Sequence, residues 1–176
     1  MTDFVPEFSR EIAVARISPT GLEEDLEAKP EERAALAKRF DLVELRSLKA
    51  QLSLKTSGQE TIFVKGKIKA EIVQRCVVTL ELMTTSINLK VDTVCLPADQ
   101  HRAGAGSSHY DELDDEFEIF SNGKIDLGEM VAQHLGVTID PYPRKEGATL
   151  PATEFGARVE ELHPFAHLVK GDKPQD

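Results

Sequence analysis

The chain reads as an α+β protein: a twisted antiparallel sheet of about five strands with two main helices on one face. Three observations predict this. Between residues 43 and 96 the apolar side chains recur with period two in three successive runs, the mark of strands that bury one face. Two other segments, 30–40 and 126–136, space their apolar residues three and four apart and carry helix-start chemistry in front of them. The 176 residues, 40% hydrophobic and 30% charged, suffice for one core.

The elements follow in order. FSREIAVARI at 8–17 alternates loosely and stops before Pro19, which predicts a first strand. The acidic stretch 21–29 reads as a polar connection. A helix is predicted from Pro30, a residue suited to the first helical position; Glu31 and Glu32 suit its positive end, and Lys38 and Arg39 its negative end. Leu48, Ala50, Leu52 and Leu54 then fall on one strand face, and a turn signal follows at 56–58. Ile62, Val64, Ile68, Ala70 and Ile72 form the core face of a second strand, which makes an antiparallel hairpin with the first. Ile87, Leu89, Val91 and Cys95 do the same for a third. Residues 98–115 are Gly-, Ser- and Asp-rich and predict a long loop. A short strand at 116–120 and the turn SNGK lead to the second helix. Asp126 is its N-cap, Glu129 sits where a capping box needs it, Ile125 and Met130 occupy staple positions, and Gly136 can end it. Pro141 and Pro143 keep the next segment extended. The expected organisation is a single domain over 1–148 and a tail over 149–176 with one apolar turn at 164–169.

Composition excludes several classes. No apolar run approaches the ~20 residues that span a bilayer, and the first residues lack the basic-then-apolar order of a signal peptide. Two cysteines, Cys76 and Cys95, make no disulfide framework, so a cytoplasmic location with reduced thiols is expected. The net charge of −10 argues against broad affinity for nucleic acid. That charge is uneven: residues 61–97 are mildly basic and residues 98–176 strongly acidic.

Catalytic chemistry finds no footing. There is no GxSxG, no HExxH, no GK[ST] and no pair of carboxylates that spacing brings together, so the chain is not expected to be an enzyme. His163 and His167 are four apart but lack a third ligand nearby, and neither cysteine has a CxxC partner; no metal and no cofactor are expected. Both cysteines continue the core parity of their strands and read as buried structural residues.

One constellation stands out. Lys49, Lys55, Lys65, Lys67, Lys69, Arg75 and Lys90 all take the polar parity of three consecutive strands. Such a face is either an ordinary solvated one, since outward lysines keep sheets soluble, or a phosphate-binding one that positions RNA. No aromatic pair interleaves these lysines in the sequence, so a base-stacking platform is not expected.

Three segments, taken in order, resemble the YceD family, the large ribosomal RNA subunit accumulation proteins. They are Gln74-Arg75-Cys76 with Thr79-Leu80-Glu81, then Ile125-Asp126-Leu127-Gly128-Glu129 leading to Asp140-Pro141-Tyr142-Pro143-Arg144, and Pro164-Phe165-Ala166. The residues that carry the likeness most directly are Arg75, Cys76, Asp126, Leu127, Pro141, Pro143 and Phe165. The resemblance implies a non-enzymatic bacterial ribosome-biogenesis factor that supports normal levels of large-subunit ribosomal RNA. Its implied partners are that RNA or its precursor particle and a basic ribosomal protein, with no membrane and no small-molecule substrate. Contact through the basic sheet face is one reading. An acidic escort for a basic ribosomal protein, without RNA contact, is the other. Many relatives pair CxRC with later cysteines, which suggests a metal site; here Val73 stands at the first of those positions and no cysteine follows Pro143.

Overall fold

The computed structural model describes residues 6–57, 61–98 and 117–149. The three alternating runs become long strands: β3 (Glu44–Thr56), β4 (Ile62–Arg75) and β5 (Leu82–Pro97). They follow β1 (Glu11–Ala13), β2 (Leu22–Glu27) and α1 (Pro30–Arg39), and precede β6 (Phe117–Phe120), β7 (Lys124–Asp126) and α2 (Leu127–Thr138). The main sheet has the order β2-β3-β4-β5-β6, and β1 pairs with β7 in a separate ribbon. Neighbours in the main sheet are antiparallel except β5 and β6, which run parallel. Residues 98–115, 149–176 and the turn at 58–60 lie wholly or almost wholly outside the described residues, and so does Phe165.

One sheet face is the core. Leu48, Leu52, Leu54, Ile62, Val64, Ile68 and Ile72 are fully buried there, together with Leu36 of α1 and Leu127, Met130, Val131 and Leu135 of α2. At about 25 cal/mol per Å² of apolar surface, this cluster is the main source of stability. Two bidentate pairs tie the helices down. Arg10 donates to both oxygens of Glu32 at 2.8 and 2.9 Å, and Arg39 donates to both oxygens of Glu129 at 2.9 and 2.8 Å.

The helix starts follow the sequence. Glu32 accepts from the Lys29 amide at the first turn of α1. Asp126 Oδ1 accepts from the amides of Gly128 and Glu129, as an N-cap should, and from the Arg10 amide at 2.7 Å as well. Glu129 does not complete the expected capping box; its carboxylate goes to Arg39.

Three local expectations change. Residues 21–29 hold a strand, β2, where a polar connection was expected: its backbone pairs with β3 along its whole length, from Leu22 opposite Leu54 to Glu27 opposite Lys49. The first strand is shorter than 8–17, because Val14–Arg16 close into a 3-10 turn. Gly136 does not end α2, which runs on to Thr138. It is there for close approach: a Cβ at that position would lie 2.9 Å from the Phe40 ring, so glycine lets the end of α1 pack on α2.

Candidate nucleic-acid interface

Partners directly opposite in a ladder share a sheet face, so register maps the outer surface row by row. One row runs Glu27, Lys49, Lys69, Asn88 from β2 to β5. The next runs Asp25, Gln51, Lys67, Lys90, and the third Glu23, Ser53, Lys65, Asp92. The fourth begins at Lys55 and runs through Phe63 and Val94 to Phe117 of β6. Lys49, Lys55, Lys65, Lys67, Lys69 and Lys90 are all exposed. The structure therefore brings six of these seven basic residues together on one face.

Arg75 is the exception. It lies at the far end of β4, opposite Leu82, and its guanidinium donates to the Leu80 carbonyl at 2.9 Å across the β4–β5 turn. That bond closes a turn; it does not extend the lysine surface.

The strand absent from the sequence reading changes the electrostatics. β2 lays Glu23, Asp25 and Glu27 along the same face, beside the lysines. Lys49 pairs with Glu27 at 3.1 Å, and Lys65 pairs with Asp92 at 2.8 Å. Both pairs are exposed and worth little. Lys55, Lys67, Lys69 and Lys90 form no ion pair among the described residues. The basic surface is thus narrower than parity suggested: it centres on β4 and β5 and is fenced by an acidic edge.

Within it, Lys49 stands directly opposite Lys69, and Lys67 directly opposite Lys90. Like charges so placed destabilise a sheet, each pair by up to about 1 kcal/mol relative to a neutral pair. Two shallow grooves of about 370 and 350 Å³ flank Lys67, the first lined by Asp25, Glu27, Lys49, Gln51, Lys67 and Lys69, the second by Lys65, Lys67, Lys90 and Asp92 with adjoining backbone. Gly66 sits between them on the core side. A Cβ there would lie 2.1 Å from the Gln51 carbonyl oxygen, so the close pairing of β3 and β4 beneath the lysines requires glycine.

The family-motif residues gather elsewhere, in a clasp at the β4–β5 turn. Cys76 donates its amide to the Glu81 carbonyl and Val77 donates to the Pro143 carbonyl, both at 2.9 Å. The side chain of Gln74 donates to the Asp140 carbonyl at 2.9 Å. Cys76 Sγ accepts from the amides of Lys145 (3.3 Å) and Thr79 (3.4 Å). The Lys145 amide, followed by the hydroxyl and amide of Thr79, holds the Cys76 thiol down to about 6 against the opposing effect of burial. Pro143 thereby serves as an anchor, Pro141 belongs to the same segment, and Leu127 is core. Cys95 is the opposite case: burial first, and the charge of Glu118 second, push its thiol up to about 12. His134 Nε2 lies 3.7 Å from Glu118 Oε1 at this end of the sheet.

Among the described residues, none stands beside Cys76 to complete the metal site that cysteine-rich relatives suggest. Cys76 has no second cysteine: Val73 is a buried hydrophobic, and the segment beside Cys76 supplies the Lys145 amide. Among the described residues no three His, Cys, Asp or Glu side chains are grouped to hold a metal. Nor, among them, is any helix long and apolar enough to cross a membrane.

Sequence reasoning missed two features of the face. The acidic residues of β2 were hidden in an apparent connection. Phe63 and Phe117, 36% and 43% exposed, stand in one row of the lysine face. Phe63 shares the odd parity of Lys65, Lys67 and Lys69 and was legible; Phe117 joins only through the parallel pairing of β6.

Fold and surface define an α+β sheet protein with a packed face under two helices and an open, lysine-bearing face. The family model of the large ribosomal RNA subunit accumulation protein YceD matches residues 64–170, and the chain belongs to that family. The family's name places it in ribosome biogenesis, in the accumulation of large-subunit ribosomal RNA. No curated protein and no solved structure matches the chain significantly.

Proposed function

We propose that the chain is a non-enzymatic, cytoplasmic ribosome-biogenesis factor that holds large-subunit ribosomal RNA, or its precursor particle, against the outer sheet face through Lys67, Lys69 and Lys90 with Lys49, Lys55 and Lys65 around them. The observation that carries this is the register that sets Lys67 directly opposite Lys90, with Lys69 in the adjoining row and none of the three in an ion pair among the described residues. A solvated face gains nothing from setting ammonium groups opposite each other, whereas a phosphodiester bridging them relieves the repulsion. The acidic fence of β2 and the net charge of −10 keep such binding selective and salt-sensitive.

The test is a Lys67→Glu, Lys69→Glu, Lys90→Glu variant, assayed by circular dichroism for folding and by co-sedimentation with large-subunit precursors. The variant is expected to fold, because exposed strand positions tolerate charge, and to lose association. A folded variant that co-sediments like the parent would overturn the reading. The acidic edge of β2 favours a second reading, an escort for a basic ribosomal protein. Recovery of one basic protein from cell extracts in RNase-resistant form would support it, and RNase-sensitive recovery of precursor RNA supports the first.

A further inference from the structure

We infer that the open edge of β2 takes an extended basic segment of another protein, added to the main sheet as a further strand with Lys or Arg opposite Glu23 and Asp25. This is independent of the RNA-binding reading and gives the acidic edge a binding mode. β2 ends the main sheet, so one side of its backbone has no neighbouring strand among the described residues. Hydrogen-bond phase tells which groups that side offers. The Ala28 amide donates to the Leu48 carbonyl at 3.0 Å. The same register continues with Leu26 opposite Ala50, Glu24 opposite Leu52 and Leu22 opposite Leu54. Hydrogen-bonded pairs recur at every second residue of an antiparallel ladder, so these residues turn N–H and C=O toward β3. Glu23, Asp25 and Glu27 turn theirs outward. The Glu27 carbonyl agrees with that phase: it accepts from the Arg10 guanidinium at 3.3 Å. The outward backbone groups of Glu23 and Asp25 have no partner among the described residues.

Charge selects the occupant. Side chains directly opposite in a ladder share a face; opposite charges stabilise there and like charges destabilise. A second copy of this chain, pairing antiparallel through its own β2 about Asp25, sets Asp25 against Asp25 and Glu23 against Glu27. RNA phosphates meet the same repulsion. A strand with cations at alternate positions instead meets Glu23 and Asp25, both exposed and in no ion pair among the described residues. Glu27 is already engaged, its carboxylate by Lys49 and its carbonyl by Arg10. Arg10 thus seats a guanidinium at one end of this edge and leaves the stretch from Glu23 to Asp25 open. The residues between the incoming cations fall on the side of Leu22 and Leu26, the face turned toward the core, so they are uncharged. Many sheets blunt an edge with lysine, proline or a bulge. β2 has none of these and pairs with β3 without a break in register. In strand addition the main-chain bonds give affinity and the alternate side chains give specificity.

The experiment titrates a synthetic peptide of alternating lysine and threonine into the full-length protein, without RNA, and follows amide hydrogen exchange along β2 by NMR. The Glu23 and Asp25 amides are expected to gain about tenfold or more in protection when the peptide is bound, while Glu24 and Leu26, already bonded to β3, change little. A peptide of the same composition with its lysines in one block should bind more weakly. Glu23→Lys with Asp25→Lys should abolish binding. Asp25→Pro removes an outward N–H and no ladder bond, so it should weaken binding beyond Asp25→Asn, which keeps that N–H; circular dichroism checks that each variant folds. Binding without protection of Glu23 and Asp25, or equal binding of the two peptides, reduces the edge to a patch of charge and overturns the inference. Protection that rises with protein concentration in the absence of peptide puts a second copy on the edge and overturns it as well. The Glu23→Lys, Asp25→Lys variant leaves the lysines of β4 and β5 intact and should still co-sediment with large-subunit precursors, so loss of peptide binding is read apart from loss of RNA association.

Discussion

The two ends of β4 show opposite uses of a side chain. At Gln74-Arg75 and the Cys76 turn, polar groups are spent inside the protein: Gln74 on the Asp140 carbonyl, Arg75 on Leu80, Cys76 on two amides. Asp126, another family-motif residue, is spent the same way on three amides. At the other end, Phe63, Lys67 and Lys69 point outward, and the fold's hydrogen bonds and ion pairs among the described residues do not account for them. The difference teaches that a motif and a site need not coincide. Arg75, Cys76, Asp126 and Pro143 are explained by the architecture they hold together. Lys55, Lys67, Lys69 and Lys90, by contrast, form no ion pair among the described residues and add little to that architecture.

Substitutions can break this contrast in order of size. Gly66→Ala should have the largest effect on stability. Its Cβ would meet a backbone carbonyl, which cannot swing away as a side-chain end can, so the β3–β4 pairing must shift. A loss of about 1–3 kcal/mol or more is expected in denaturant unfolding, with RNA association falling in step because the lysine rows ride on that pairing. An unchanged midpoint would mean that β3 and β4 are less closely paired than the register implies.

Asp126→Ala comes next. It removes the acceptor for two helix-start amides and for the Arg10 amide, and should cost about 0.5–2 kcal/mol. Affinity for RNA at a temperature where the variant is folded should not change. Lost association with unaltered thermal stability would make Asp126 a contact residue and erase the division between framework and face.

Much of this was legible in the sequence where one physical rule governed a segment. Period two fixed β3, β4 and β5 and the outward parity of Lys49, Lys65, Lys67, Lys69 and Lys90, because nothing but burial on one side decides that pattern. N-cap chemistry located α2 at Asp126. β2 escaped because it is an edge strand: with Glu23, Asp25 and Glu27 in solvent and Glu24 only half-buried, its apolar signal shrinks to Leu22 and Leu26. Gly136 misled because the same residue serves a helix end and a tight helix crossing, and only the position of Phe40 tells which. The aromatic row was split in sequence, since Phe117 reaches the face by a parallel pairing that no local pattern announces. Core parity placed both cysteines inside correctly, but it could not separate their chemistry, which depends on amides contributed by the turn at Thr79 and by Lys145, far along the chain.

A pH-dependent effect sharpens the contrast at the clasp itself. With its thiol lowered from the ordinary 9.0 to about 6, Cys76 is a thiolate in the folded protein at neutral pH while the unfolded chain still holds the proton. The unfolded state therefore binds more protons between about pH 6 and 9, and stability rises with pH across that window. The contribution is fully present above pH 9 and is lost as the pH falls through about 6. Cys76→Ser removes the titrating group, so the stability difference between parent and variant should widen from pH 6 to 9 and level off beyond. Thiolate absorbance of the folded parent should show one transition near pH 6 that the variant lacks, while Cys95, raised by burial, stays protonated throughout. A single transition in the ordinary thiol range would show that the Lys145 and Thr79 amides do not hold a thiolate, and that the clasp rests on the backbone bonds of Cys76 and Val77 alone.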